Sequence, residues 1–237
     1  MITVLLPPGA GGTGSTCRLD DEEAHHLHVR RASIGEAVGV RDGVGLVGAG
    51  RLVRQGESWS VEIESAEVIP RPADLILAVG AGDRDRFEWL VEKASELGVT
   101  AVVPLETTRT AGVATRLRNQ HLEKLRRQAR EAVKQSGVAW ATAVEVSVAL
   151  DHFLSEPRTG ALWLADAAGD APPAGLGSES VTVVVGPEGG VTASEREALL
   201  AAGYHPVRLG AHTLRFETAA MAAAVAVSAA RFRGIDG

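Results

Sequence analysis

Five residues, Val181-Thr182-Val183-Val184-Val185, form a nearly unbroken run of β-branched side chains between Ser180 and Gly186. Such side chains are stiff at χ1 and pack well on a pleated surface, so the run reads as a strand. It lacks the alternation of a strand with one wet face. A strand that is apolar on both sides needs helices over both faces of its sheet, which is the arrangement of a parallel α/β sheet. Leu75 to Val79, Ala101 to Leu105 and Ala161 to Ala165 are further strand candidates. Between them Phe87, Leu90, Val91 and Ala94 recur at helical spacing before Gly98, and Leu117 to Gln135 reads as a long basic helix. Thr192 with Glu195 three residues on is a capping-box signature for a helix running to Ala202. Val207 to Leu209 reads as a last short strand and Thr218 onward as a last helix. Strands that alternate with helices imply a mainly parallel sheet.

The first 70 residues follow a different rhythm. Ala37 to Arg41, Gly45 to Val53 and Ser60 to Val68 are short, Val-rich and separated by the turn signals Asp42-Gly43 and Gln55-Gly56. Ile69-Pro70-Arg71-Pro72 interrupts the pattern, because neither proline can donate to a ladder and each restricts its predecessor. The boundary falls there, giving a small β domain over 1–70 and an α/β domain over 73–237.

Aromatic residues make up only 4%, so the core is built from small aliphatic side chains at close backbone approach. The single Cys17 has no cysteine partner and no metal-ligand spacing around it, which predicts no disulfide and no metal. The N-terminus has no basic region ahead of its apolar run, so a secretory signal is not expected. The apolar stretch from Thr218 to Ala230 is shorter than the ~20 residues of a bilayer crossing, so no membrane partner is expected and a cytoplasmic protein is. Net charge is −6, yet Arg116 to Lys134 holds seven basic residues against two acidic ones. That cluster is either a solvated helix face or a phosphate-binding one.

Two loops stand out as ligand candidates. Gly186-Pro187-Glu188-Gly189-Gly190 follows the valine strand, and ligands of open α/β sheets bind beyond the carboxyl ends of strands. Its glycines let backbone groups approach a ligand, although the same residues make an ordinary tight turn. No Gly-Lys-Ser/Thr follows and the glycine spacing is not that of a dinucleotide fingerprint. The second loop, Leu209-Gly210-Ala211-His212-Thr213-Leu214-Arg215, also lies between a short strand and a helix that begins near Glu217-Thr218. His212 has no Cys or carboxylate cluster near it in sequence, which argues against a metal role.

In this order, GPEGG followed by LG-x-x-x-LR-x-ETA closely resembles the final motifs of the bacterial 16S rRNA uridine-N3 methyltransferase family, usually called RsmE, within the SPOUT superfamily. Upstream, Phe87-Glu88-Trp89 and Glu92-Lys93-Ala94-Ser95-Glu96-Leu97-Gly98-Val99 are similar to the family's helix ending in K-A-T-E-L-G, and Pro104 to Arg109 resembles its next loop. His26-Leu27, Val29-Arg30-Arg31, Gly35-Glu36 and Asp42-Gly43 resemble its PUA-like RNA-binding module. The resemblance thus runs nearly end to end. It implies an α/β fold with a small N-terminal PUA-like β-barrel and a C-terminal trefoil-knotted SPOUT domain, which would be an exception to the rule against threaded chains. It further implies S-adenosyl-L-methionine as cofactor, 16S rRNA of the small ribosomal subunit as partner, and a homodimer to which part of the Ala-rich last helix contributes. The cofactor residues carried over are Leu164, Gly186, Pro187, Glu188, Gly189, Gly190, Leu209, Gly210 and Leu214.

Methylation of uracil N3 requires loss of its proton, so a group must stabilise the developing negative charge. Arg215 is the first choice for that role, the alternative being a loop-fixing pair with Glu217 or Glu188. Glu217 is either a base or, as favoured here, a carboxylate complementing a helix dipole. N3 lies on the Watson–Crick edge, so the target must be unpaired or flipped out. Arg30, Arg31, Arg86, Arg109, Arg127 and Arg130 are the expected phosphate contacts. The chain departs from the family's usual residues at Asp83-Arg84, Lys134, Val138, Ala211-His212 and Phe216, and it lacks an arginine near the N-terminus. Most of these departures are expected on the RNA side. Two other readings stay open: a SPOUT methyltransferase acting on ribose 2′-O or elsewhere on RNA, and a non-catalytic rRNA-binding assembly factor of the same fold.

Overall fold

Glycines in the fourth strand show how tightly the first domain is drawn together. A Cβ on Gly48 would stand 2.1 Å from the Ser65 carbonyl oxygen, and one on Gly50 would stand 2.3 Å from that of Glu62. The computed structural model describes residues 1–80, 82–110 and 119–233. Its first unit contains β1 (Ile2–Leu5), β2 (Thr16–Arg18), α1 (Asp21–Val29), β3 (Ala37–Arg41), β4 (Leu46–Gln55) and β5 (Ser58–Val68). The sheet order is β1-β3-β4-β5-β2. β1 joins β3 in parallel and the other neighbours are antiparallel, with a register shift in β4 between Ala49 and Gly50. Val4, Leu27, Val38, Val40, Leu52, Val61 and Ile63 form its core.

Asp42 organises the β3–β4 turn: its Oδ1 accepts from the amides of Val44 and Leu46, and its Oδ2 from that of Gly9. Asp20 caps α1 by accepting from the Glu23 amide. This helix lies in the segment read above only as a β module. Its three acidic first-turn residues and its side-chain cap complement the N-terminal dipole.

The second unit contains β6 (Leu75–Gly80), α2 (Arg84–Glu96), β7 (Ala101–Glu106), the start of α3 (Asn119–Ser136), β8 (Ala143–Val144), β9 (Val148–Ala149), α4 (Leu150–Ser155), β10 (Ala161–Asp170), β11 (Val181–Val185), α5 (Ala193–Ala201), β12 (His205–Val207) and α6 (Phe216–Arg233). The strand order is β12-β10-β11-β6-β7-β8, with β9 also beside β7, and every pairing is parallel. Val181, Val183 and Val185 face a core shared with Phe87, Leu90, Leu125 and Ala220. Val184 faces a second core with Leu150, Phe153, Leu199 and Tyr204. Helices on both faces therefore account for the valine-rich strand, each fully buried valine contributing roughly 1.5–3 kcal/mol.

The chain divides into Met1–Arg71 with Arg130–Ala141, and Pro72–Ala129 with Thr142–Gly237. The proline-rich junction lies at one of these divisions. A contiguous split at that point leaves Arg130–Ala141 in the second domain, whereas these residues pack within the first unit. There the Gly45 amide donates to the Ala139 carbonyl, the Ala141 amide donates to that of Gly43, and Trp140 Nε1 donates to that of Ile69 at 3.0 Å. No local pattern in the sequence announces such a return of the chain. No described helix is long and apolar enough to cross a membrane, and the described residues hold no cluster of metal-ligating side chains.

Candidate functional site

The ends of β10 and β11, the loop after β12 and the first turn of α6 enclose a cleft of about 410 Å³. Leu164, Gly186, Pro187, Glu188, Gly189, Gly190, Leu209, Gly210 and Leu214 all line it. Two loops well separated in sequence are therefore brought to one cavity. Phe216 and Ala219 of α6 complete its apolar wall.

GPEGG is both a turn and part of the cleft wall. The Gly190 amide donates to the Pro187 carbonyl at 2.7 Å, and Gly190 has φ +68°, a conformation that favours glycine. Beside it, Gly80 ends β6 so close to the loop that a Cβ there would stand 2.7 Å from the Pro187 nitrogen. The Glu188 carboxylate lies over Gly82. Arg109 donates through its guanidinium to the carbonyl of Gly189. Its expected phosphate role thus begins from a side chain already engaged by the loop.

Glu195 ties the same region to the loop after β7. Its Oε1 accepts from the Thr108 amide at 2.7 Å, and its Oε2 accepts from the Thr192 amide at 2.7 Å in the capping box. Burial pushes this carboxyl up, but hydrogen bonds from Thr108 and Thr192 outweigh burial and hold it below the usual glutamate value.

The rim carries charges that the sequence reading did not single out: Asp166, Arg196 and Arg208. Arg196 Nε donates to Asp166 Oδ2 at 2.7 Å, and the Ala168 amide donates to Asp166 Oδ1 at 2.9 Å. Burial raises the Asp166 pKa, yet these two donors prevail and leave it lowered. Asp166 comes directly after Ala165, where the strand was expected to end. In the structure β10 continues, with Ala165 and Asp170 both opposite Val207, so Asp166 to Gly169 bulge out of the ladder. That excursion depends on β12, which is remote in sequence.

Arg215 is exposed between Leu214 and Phe216, just outside the lining itself. Glu217 pairs with Arg86 at 3.8 Å, so the carboxylate offered as an Arg215 partner is held by another arginine. His212 lines the cleft and is exposed.

The other expected RNA contacts are divided between the units. Arg30 and Arg31 are exposed at the end of α1, with Arg31 at φ +54°, and Arg130 packs in the same unit. Arg86, Arg109 and Arg127 belong to the other. Arg116 and Arg118 lie outside the described residues.

Several charges of the basic stretch are structural. Lys124 pairs with Glu88 at 2.7 Å, while Arg126 pairs with Glu123 and donates to the Val144 carbonyl. Lys134, placed above among departures expected on the RNA side, is instead buried in the first unit against Glu23. Its side chain is 5% exposed and that of Glu23 is 2% exposed. Of the other departures, Asp83 caps α2 by accepting from the Arg86 amide, and Phe216 is buried in the cleft wall.

Known proteins are similar to this chain over most of its length. Residues 70–228 match the family described as RNA methyltransferase domain, and residues 19–64 match that described as RNA methyltransferase PUA domain. The ribosomal RNA small subunit methyltransferase E of Synechocystis sp. is 30% identical over 227 residues, covering 91% of this chain and 73% of that protein. Its counterpart from Mycobacterium bovis is 31% identical over 234 residues, covering 91% and 87%. The crystal structure of the Neisseria gonorrhoeae ribosomal RNA small subunit methyltransferase E bound to S-adenosyl methionine superposes with a TM-score of 0.83 at 27% identity, covering 95% of this chain and 96% of that one. A PUA domain, a parallel sheet with its cleft at the strand ends, and end-to-end similarity all converge: the chain belongs to the ribosomal RNA small subunit methyltransferase E family of RNA methyltransferases.

Proposed function

We propose that the protein transfers a methyl group from S-adenosyl-L-methionine to N3 of a uridine in 16S rRNA of the small ribosomal subunit, in the cytoplasm. The observation that carries this reading is the convergence of the GPEGG and Leu209–Leu214 loops on one cleft in a chain similar to a relative crystallised with S-adenosyl methionine. The residues present fit that ligand. A volume of about 410 Å³ lies within the usual range for small-molecule sites, roughly 300–1,000 Å³. Leu164, Leu209, Leu214 and Phe216 offer an apolar wall for a nucleoside, and the glycines of the first loop expose backbone donors and acceptors.

The cofactor supplies an electrophilic methyl group when bound. Arg215, exposed beside the cleft, is the residue assigned to stabilise charge developing on the O2 or O4 of uracil as N3 loses its proton. The base must reach this place unpaired, because pairing hides N3. Arg30 and Arg31 contribute phosphate contacts that position RNA without reading its sequence.

A homodimer and a knotted path belong to the same proposal. Trp89 of α2 and Val225 and Phe232 of α6 are large apolar side chains left exposed, which supports a covered face. Arg231, near the end of α6, donates to the carbonyls of Ala73, Asp74 and Glu179, which ties α6 to the starts of β6 and β11.

The test is incubation of the purified protein with labelled S-adenosyl-L-methionine and small subunits lacking the modification. Label recovered as 3-methyluridine is expected. Label on ribose, or tight RNA binding without transfer, overturns the assignment.

A further inference from the structure

The charged rim of the cleft has a composition that a nucleoside alone does not require. Asp166 and Arg196 stand side by side, so the rim offers a negative and a positive group within one ion-pair distance of each other. Arg208, exposed and on the same rim, adds a second guanidinium. The placement is built rather than incidental. The bulge from Asp166 to Gly169 carries the carboxylate out of the β10–β12 ladder, and its return is fixed where the Arg208 amide donates to the Asp170 carbonyl at 2.7 Å. A Cβ on Gly169 would stand 2.4 Å from the Pro206 carbonyl carbon, so the bulge also depends on a glycine at its end. Bulges of this kind re-aim side chains next to sites.

Resting on the cofactor reading above, we propose that Asp166, held by Arg196, and Arg208 form the subsite for the amino acid end of the cofactor. Asp166 receives the α-ammonium, and Arg208 receives the α-carboxylate. The acidic group keeps two of its lone-pair directions occupied by Arg196 and the Ala168 amide, and an ionised carboxylate has about four such sites. Arg208 engages the carboxylate through its planar donor fork. The apolar lining of the cleft, Leu214 and Phe216 included, remains for the nucleoside. Under this assignment the sulfonium lies between the two ends, and the rim charges act on the zwitterion rather than on the sulfur.

Three ligands separate this from its alternatives when titrated calorimetrically into the full-length protein. They are S-adenosyl-L-methionine, S-adenosylhomocysteine, which keeps the amino acid but has an uncharged sulfur, and 5′-methylthioadenosine, which lacks the amino acid carbons. Asp166→Asn keeps the side-chain shape and an acceptor for the Ala168 amide. It is expected to weaken the first two ligands about tenfold or more and to leave the third within about twofold. Arg208→Gln, outside the Asp166–Arg196 pair, is expected to give the same pattern.

Loss confined to S-adenosyl-L-methionine places the charge against the sulfonium and overturns the proposal. Equal loss on all three ligands makes the rim a folding element only and overturns it too, as does no loss. If the unaltered protein binds none of the three, the cofactor reading itself fails, an outcome distinct from failure of the subsite alone.

Discussion

Arg109 and Gly189 meet across two loops: the arginine guanidinium donates to the glycine carbonyl and, at 3.4 Å, to that of Val191. The side chain also covers Gly189, where a Cβ would stand 3.0 Å from Arg109 Cδ. The loop after β7 thereby clamps GPEGG from outside. Arg109→Ala is expected to weaken S-adenosyl-L-methionine binding about tenfold, near 1.4 kcal/mol, with a small change in melting temperature. Calorimetric titration checks this, and unchanged cofactor affinity with weaker RNA binding would return Arg109 to a purely phosphate-contacting role.

Arg215 offers the opposite signature. Its side chain is exposed and outside the cleft lining, so Arg215→Ala is expected to leave cofactor affinity within about twofold. Turnover is expected to fall about 10²–10³-fold, the usual effect of removing one preorganised donor to developing charge. Transfer at the normal rate with intact cofactor binding would remove Arg215 from the mechanism.

Gly80 and Pro187 constrain each other through the backbone. Gly80→Ala places a Cβ 2.6 Å from Pro187 Cδ and 2.7 Å from its nitrogen, so the loop has to shift. We expect loss of cofactor binding at least tenfold while far-ultraviolet circular dichroism stays unchanged, since β6 itself accepts alanine readily. Retained affinity would show that the GPEGG backbone tolerates displacement.

The Glu23–Lys134 pair tests the energetics of the first unit. Its N–O distance is 2.5 Å and Glu131 also reaches the lysine. Burial pushes the Glu23 carboxyl up and prevails over the opposing pull of Lys134. Lys134→Ala leaves that carboxyl uncompensated and is expected to cost about 3–5 kcal/mol, whereas the double change Glu23→Leu with Lys134→Met recovers most of the loss. Urea unfolding measures both. A single variant as stable as the original would mean the pair is not coupled to folding.

Tyr204 predicts an alkaline limit. Burial pushes its pKa to about 12, against a smaller opposing effect of Arg158. A group raised in the folded state contributes stability that is complete below its unfolded pKa, near 10, and is lost as pH rises through the folded value. Unfolding free energy is therefore expected to fall between pH 10 and about 12 by an amount that Tyr204→Phe removes. Denaturant titrations of both proteins at pH 9 and 11 check the difference, and identical slopes would exclude the tyrosine as its source.

Sequence patterns were legible where local chemistry sets the structure. Val181–Val185, Ala37–Arg41 and the Thr192 capping box stand as the patterning indicates, because burial on both faces, turn glycines and a side-chain cap are all local signals. The last strand was expected at Val207 to Leu209 and lies at His205–Val207. Pro206 disfavours strand in isolation, yet its position at the sheet edge next to β10 makes it acceptable. The two-residue strands β8 and β9 depend on β7 for their pairing and carry no signature of their own. At the site, the glycine loops were recognisable. Asp166, Arg196 and Arg208 were not, because an ion pair between a bulge and a helix is fixed by tertiary placement alone.

Strand order has a consequence for synthesis. Among the described residues β10 pairs with β11 and β12, both of which are translated after it, and β6 waits for β11 on one side. While the ribosome is still making residues 171–185, the growing chain therefore carries an apolar strand with two unsatisfied edges, and one of them stays open until β12 is made, the kind of surface that invites aggregation. The apolar wall of the cleft is incomplete until Phe216 and Ala219 have emerged. Cofactor capture is thus a late event in the life of the nascent protein, and S-adenosyl-L-methionine can stabilise only molecules whose translation has passed α6.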